Sequence, residues 1–443
     1  NNVILSLNFI MGFVSFQAMK TLDSEPETDY ILYIYLKYIL LFQFIKRGGL
    51  MDYTFELPTR ITIGEGCSSQ LGANVASAGA KRVMCIFDKG VEAAGIVEPL
   101  VASLETAGVE VVRFDGVLPD PPMEVIEQCS RIANDVNPDA FVAVGGGSSI
   151  DTAKAVNANS TNPGTLKTHA INLNGLQVLP FDKPLKPLFV LPTTAGTGSE
   201  ISPSAVVTDN ELKLKVSVMS PDLQPTMALI DPALMTGLPP HITASTGLDA
   251  FSHAVEGLMG GLAIFTPSPM RDSFALTAIE LVLKSLVKAM KDGNDIKART
   301  DMSYAAFMSI LGAHGGLSMG HSVGHAIGEV CGIHNHGFLC ASIIPYNVEL
   351  MAEFIPDKLN KLATLLNVDP GGKSVPEIGS AVKQAIQSFY RECGVPSLRE
   401  LGMSLSDVEE IIRHTVTGTW YMLAPKRPTD EEITGWLHEA YEG

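Results

Sequence analysis

Ala140-Phe141-Val142-Ala143-Val144-Gly145-Gly146-Gly147-Ser148-Ser149-Ile150-Asp151-Thr152-Ala153-Lys154 runs from an unbroken apolar segment through three glycines into a helix-compatible segment. The first part reads as a buried strand and the last as the opening of a helix. Glycines let backbone approach a ligand closely, and a helix N-terminus presents free N–H groups and the positive end of a dipole. That combination suits a pyrophosphate. Taken alone it suits a plain strand-to-helix turn equally well, because it is neither G-x-G-x-x-G nor a P-loop.

Its surroundings favour the nucleotide. Upstream, Arg82-Val83-Met84-Cys85-Ile86-Phe87 ends at Asp88 and is followed by a helix-like segment through Glu105, after which Val109–Phe114 reads as the next strand. Downstream, Leu188-Phe189-Val190-Leu191-Pro192 and Met227-Ala228-Leu229-Ile230-Asp231 read as further strands. Strands alternating with helices imply a mostly parallel sheet covered on both faces. A second loop, Pro192-Thr193-Thr194-Ala195-Gly196-Thr197-Gly198-Ser199-Glu200, also follows a strand and is rich in small hydrogen-bonding side chains. Two such loops in one sheet point to a bound nucleotide. Asp88, at another strand end, is placed to accept hydrogen bonds from a ribose and to repel a 2′-phosphate, which favours NAD over NADP.

Beyond Pro240 the pattern changes. Stretches 243–259, 273–291 and 296–311 carry apolar residues at three- and four-residue spacing, the period of helices packed on one face. The expected organisation is an α/β NAD-binding domain over 51–232 and an all-helical domain over 233–443, with a ligand cleft between them. Residues 1–50 are set apart. Tyr30–Ile45 is a Tyr, Leu and Ile-rich run of sixteen residues, short of the roughly 20 that span a bilayer. Lys46-Arg47-Gly48-Gly49 is what a ribosome-binding site reads as when translated, and Met51 follows. This segment is therefore expected to be an upstream extension absent from the native protein.

Composition narrows the partners. The formal net charge is -17, and a surface that acidic repels nucleic acid and anionic lipid. Six cysteines without a C-x-x-C pair form neither a disulfide framework nor a zinc finger and fit a reducing cytoplasm. They are expected to act as small buried apolar residues.

The histidines cluster. Asp249 and His253 stand four apart in a helical stretch, His321 and His325 repeat that spacing, and His334 and His336 follow. Four residues bring two side chains onto one helix face. Nitrogen donors with one carboxylate suit Fe(II) or Zn(II) rather than Ca²⁺ or Mg²⁺. Spacing offers these six candidates without choosing among them.

With those motifs in order, the chain resembles the iron-containing (group III) alcohol dehydrogenase family over essentially all of 51–443. The resemblance runs from Pro58-Thr59-Arg60-Ile61 and Gly64 through both loops, Ile230-Asp231-Pro232, the Asp249/His253 helix and the His321 segment to Pro428-Thr429. It implies a dehydroquinate-synthase-like fold: a Rossmann-like parallel-sheet domain holding NAD, then a helical domain holding Fe(II), with Zn(II) as the alternative. The implied ligands are Asp249, His253, His321 and His336, with His325 a non-ligand catalytic histidine near the nicotinamide. The implied cofactor contacts are Asp88, Gly146, Gly147, Ser148, Asp151, Thr193, Thr194, Thr197 and Lys215. A small primary alcohol, diol or aldehyde is the expected substrate; neither nucleic acid nor membrane is an expected partner, and a homo-oligomer stays open. The sequence departs from the family pattern in two places. The His321–His336 separation is one residue longer than expected, which makes His334 a rival ligand, although Gly337 and the apolar run to Pro345 align from His336. Asp120 stands where asparagine is commoner. A non-redox sugar-phosphate cyclase on the same scaffold is the competing reading, disfavoured by the lack of a Lys/Arg-rich pocket in the helical half.

Overall fold

In the computed structural model, residues 55–170, 178–211, 214–314 and 316–443 are described. The proposed extension, residues 1–50, lies outside them.

Among the described residues the strands are β1 (Arg60–Ile63), β2 (Arg82–Phe87), β3 (Glu110–Phe114), β4 (Ala140–Gly145), β5 (Leu188–Pro192), β6 (Ser204–Asp209), β7 (Leu214–Met219) and β8 (Met227–Ile230). Six of them form one sheet in the order β1-β8-β5-β4-β2-β3, and each adjacent pair is parallel. The central strands β4, β5 and β8 are buried at every position, as strands covered on both faces must be. The charged Glu110 and the exposed Arg60 fall on the two outer strands, β3 and β1.

The helices of this half are α1 (Leu71–Ser77), α2 (Lys89–Ala93), α3 (Val97–Thr106), α4 (Met123–Val136) and α5 (Gly147–Thr161). Alternation along β2 and β4 sorts the core. Val83, Cys85, Phe87, Val142 and Val144 pack with Leu71, Val75, Leu100 and Leu104 of α1 and α3. Met84, Ile86, Phe141 and Ala143 face the other way, into a core continuous with Ala250, Phe251 and Ala254 of the helical half.

That half comprises α6 (Pro240–Met259), α7 (Pro269–Lys291), α8 (Ile296–Ala313), α9 (Met319–Cys331), α10 (His336–Met351), α11 (Pro356–Leu365), α12 (Val375–Glu392), α13 (Val408–Thr417) and α14 (Asp430–Glu442), joined by shorter turns. Its start and stop signals are local. Pro240 and Pro269 open helices where a missing N–H costs nothing, the Ser268 and Asp295 side chains accept from Arg271 N and Ala298 N, and Gly332 closes α9 in the left-handed region at φ 66°. No described helix is long and apolar enough to cross a membrane.

The sequence reading passes over β1 and the antiparallel β6–β7 pair. Burial along β6 alternates, with Ala205, Val207 and Asp209 inward, so the period-two signal was present but short. What β6 covers is unusual: Lys154, on α5, is fully buried. Its ammonium donates to Ser199 Oγ (3.2 Å), Ser202 O (2.8 Å), Ser202 Oγ (3.1 Å) and Ser204 O (2.8 Å). Burial pushes its pKa down to about 8 against the pull of Asp151 and Glu200. Lys154→Met is expected to cost about 2–4 kcal/mol in urea unfolding, because two buried carbonyls lose their donor. A loss under about 0.5 kcal/mol would show that those carbonyls find other partners.

Candidate active site

In β4 and β5, Gly145 is in register with Pro192, so both glycine- and threonine-rich loops leave the carboxyl edge of neighbouring strands. Ligands bind at that edge in open α/β sheets. Gly146 is the extended N-cap of α5 and supplies no side-chain cap, leaving the first N–H groups of the helix to a ligand. The two loops press together. A Cβ at Gly147 would meet Thr197 Cγ2 at 2.7 Å, and one at Gly146 would meet Thr194 Oγ1 at 3.2 Å. Gly146, Gly147, Ser148, Thr194 and Thr197 remain partly open, whereas Thr193 is buried and its N–H bonds Gly145 O at 3.0 Å.

Asp151 points elsewhere. Its carboxylate accepts from Ser199 Oγ and, at 3.0 Å, from Val206 N, which ties the second loop to β6. Asp88 lies at the end of β2 beside the glycines and caps α2, its Oδ1 accepting from Gly90 N (2.8 Å) and Val91 N (3.1 Å). Oδ2 is the oxygen turned toward the first loop, 3.3 Å from Ser149 Oγ.

The second loop also touches the helical half. A Cβ at Gly196 would meet the Thr246 carbonyl oxygen at 2.5 Å, and Thr246 is one turn before Asp249 on α6. Close packing of loop on helix thus brings the second loop beside the histidine cluster.

In that cluster Asp249 Oδ1 lies 3.8 Å from His321 Nε2 and 3.4 Å from His336 Nε2. His253 Nδ1 lies 3.9 Å from Asp249 Oδ2, and its ring stacks on His321 at 4.5 Å between centroids. Asp249 Oδ1, His253 Nδ1 and His321 Nε2 are buried without a hydrogen-bond partner. Three orphaned donors converging in one interior spot are costly unless a cation binds them. Glu256, fully buried on α6, orients the group: it bonds His321 Nδ1 and accepts from Gly320 N (2.6 Å) and Asn347 Nδ2 (3.2 Å). That bond turns His321 Nε2 inward, the arrangement in which a metal-binding imidazole is held by a carboxylate. Donor atoms of Asp249, His321, His336 and Cys340 all lie within 4.8 Å of one another. The sequence reading missed Glu256 and Cys340, although Glu256 stands seven residues after Asp249 and Cys340 four after His336, both on the same helix faces.

His325 is one turn beyond His321, half-buried, with its ring 5.1 Å from that of His336. His334 faces away from the cluster: 65% exposed, its Nδ1 is 2.7 Å from Asp120 Oδ2. Asp120 also pairs with Lys215 Nζ at 2.7 Å. The two departures noted in the sequence therefore meet each other, and Lys215, on β7, is held between Asp120 and the Glu329 carboxylate, which accepts from its N–H.

Burial pushes the His253 imidazole down to about 4 and holds His325 and His336 well below the ordinary value. These rings are therefore neutral, the form that ligates metal or takes up a proton. Between pH about 6.5 and about 4 the unfolded chain binds more protons at His253 than the folded one, so stability falls as pH drops through that window. The metal-free protein should show this as a falling urea midpoint. A midpoint that is flat there would mean the histidines are already protonated in the fold.

The comparisons agree with this geometry. The profile of iron-containing alcohol dehydrogenases matches residues 58–232, and the C-terminal profile of the Fe-containing alcohol dehydrogenase family matches 243–441. Choline dehydrogenase of Bacillus subtilis (strain 168) is 32% identical over 389 residues, covering 87% of this chain and 94% of the relative. NAD-dependent methanol dehydrogenase of Bacillus methanolicus is 31% identical, covering 87% and 99%. The solved alcohol dehydrogenase from Oenococcus oeni superposes with a TM-score of 0.81 at 30% identity, covering 88% of this chain and 100% of that one. A parallel sheet with two glycine- and threonine-rich loops at its carboxyl edge, a helical half carrying buried carboxylate and imidazole donors, and matches to the family over both halves lead to one conclusion: the chain belongs to the iron-containing alcohol dehydrogenase family.

Proposed function

We propose that this chain is an NAD-linked, metal-dependent alcohol dehydrogenase and aldehyde reductase acting on a small primary alcohol or diol in the cytoplasm. The observation that carries the reading is the convergence of partnerless buried donors on Asp249, His253 and His321 beside the glycine and threonine loops. These three residues and His336 would hold Fe(II), with Zn(II) the alternative, since nitrogen and carboxylate donors suit both. A bound metal would supply a Lewis acid for the substrate oxygen, and a bound NAD would supply the hydride acceptor.

The chain supplies the rest. Gly146, Gly147 and Ser148 offer backbone N–H groups to the pyrophosphate, and Thr194 and Thr197 wall the same groove. Asp151 keeps the second loop in place rather than touching the cofactor. Lys215, braced by Asp120 and Glu329, sets positive charge beside His325 and His336, where it helps keep both rings neutral. His325, half-open and neutral, accepts the alcohol proton and returns it during aldehyde reduction.

Asp88 would set cofactor choice through Oδ2. Asp88→Asn preserves the oxygen that caps α2 and removes the charge, so the NADP-to-NAD ratio of kcat/KM should rise about tenfold or more as repulsion of a 2′-phosphate disappears. An unchanged ratio would place Asp88 away from the adenosine ribose.

The reading itself is tested with a panel of primary alcohols and diols on purified, metal-reconstituted protein. Net NADH formation, lost on chelation, is expected. Consumption of a sugar phosphate without net NADH would favour the cyclase instead.

A further inference from the structure

Asp120, one of the two departures from the family pattern, sits on the β3–α4 connection at the carboxyl edge of the sheet. Its φ is 47°, in the left-handed region that aspartate and asparagine tolerate better than most side chains. β6 fixes it there, because Thr208 Oγ1 donates to Asp120 O (2.9 Å) and Thr208 N donates to Pro121 O (2.9 Å). The carboxylate then reaches Lys215 Nζ at 2.7 Å through Oδ1 and His334 Nδ1 at 2.7 Å through Oδ2. Asp120 and Lys215 are largely shielded from water, with side chains 21% and 10% exposed. Burial pulls the Asp120 pKa up, but Lys215 and then His334 outweigh it and hold the carboxyl below its ordinary value. The acid therefore keeps its charge. Lys215 is a fixed cation whose field reaches both His325 and His336, and Asp120 opposes that field at His325. Beside the reacting groups the pair presents mostly a dipole. A carboxylate or sulfonate on a substrate would lose its water there without gaining a full counter-charge.

We propose that the Asp120–Lys215 pair is a charge filter on the substrate: the site takes uncharged alcohols and aldehydes and discriminates against those carrying an anionic group. This rests on the dehydrogenase reading given above and narrows its substrate class. Asp120 is a positioning residue in it, acting through Lys215 rather than on the reacting atoms. Selectivity of this kind comes from a penalty set against the wrong substrate, not from a new contact with the right one.

Short ω-hydroxy acids, each set against its own amide, test this on full-length, metal-reconstituted protein at saturating NAD. Acid and amide share a shape and differ in charge. The wild type is expected to favour the amide by about tenfold or more in kcat/KM. Asp120→Asn keeps the left-handed backbone and an oxygen toward Lys215 while removing the charge, so the amide-to-acid ratio should fall about tenfold. The fall should come mainly from a lower KM for the acid, which a merely structural role would not single out. His334→Ala should keep the wild-type ratio, because the filter lies in the Lys215 pair. The wild-type comparison needs no variant to fold. A wild type that oxidises acid and amide equally well, or an Asp120→Asn ratio equal to that of the wild type, overturns the filter and leaves the dehydrogenase standing. A ratio that moves as far in His334→Ala as in Asp120→Asn overturns the assignment to Lys215. No NADH from any member of the panel, neutral alcohols included, overturns the filter and the dehydrogenase reading together.

Discussion

His336→Ala is expected to lose metal and turnover together, while His334→Ala keeps both. The two residues are neighbours in sequence and opposites in placement. His336 Nε2 lies 3.4 Å from Asp249 Oδ1, so its removal opens the ligand set to water, with metal affinity falling more than about 100-fold. His334 is 65% exposed and contacts Asp120 at the surface, a pairing worth no more than about 1 kcal/mol. Metal content by elemental analysis, read beside NADH formation, checks both. If His334→Ala emptied the site and His336→Ala stayed loaded, the turn between α9 and α10 would have to adopt another arrangement in solution.

His325→Ala should keep its metal and lose rate, with kcat falling roughly 10²–10⁴-fold, the usual range for a lost proton relay. The ring shares α9 with His321 but stands one turn on and half-open to the cleft. Removal therefore leaves the buried donors in place. Added imidazole should restore part of the rate in this variant, which a purely structural role would not allow. Loss of metal in His325→Ala would instead make it a ligand.

Much of this was legible in the sequence because it rests on local patterns. Unbroken apolar runs such as Ala140–Val144 must be buried on both faces, and glycine-rich stretches after them must turn into helices, so the sheet and its two loops follow from short-range chemistry. Helical spacing likewise placed Asp249 with His253 and His321 with His325. What escaped depends on contacts between distant segments. β1 is four residues long and has meaning only through its pairing with β8. Asp151 and Thr193 belong to the right loops, but the structure shows their polar groups spent inside the protein. Asp88 reads as a free strand-end acid, although one of its oxygens caps α2. Glu256 and Cys340 reach the histidine cluster through the packing of α6, α9 and α10, and Gly320 and Gly324 permit that approach. Nothing in spacing alone could give the pairing of Asp120 with His334, 214 residues apart.

The central claim is that one divalent metal sits where the orphaned buried donors converge, beside the nucleotide loops. Anomalous X-ray scattering at the iron and zinc edges, from crystals of metal-reconstituted protein grown with NAD, locates that atom directly. The account predicts a single peak about 2.0–2.3 Å from Asp249, His253, His321 and His336, with the pyrophosphate on the N-terminus of α5. A catalytically active crystal with no peak there, or with its metal held by His334 and Asp120, would contradict it.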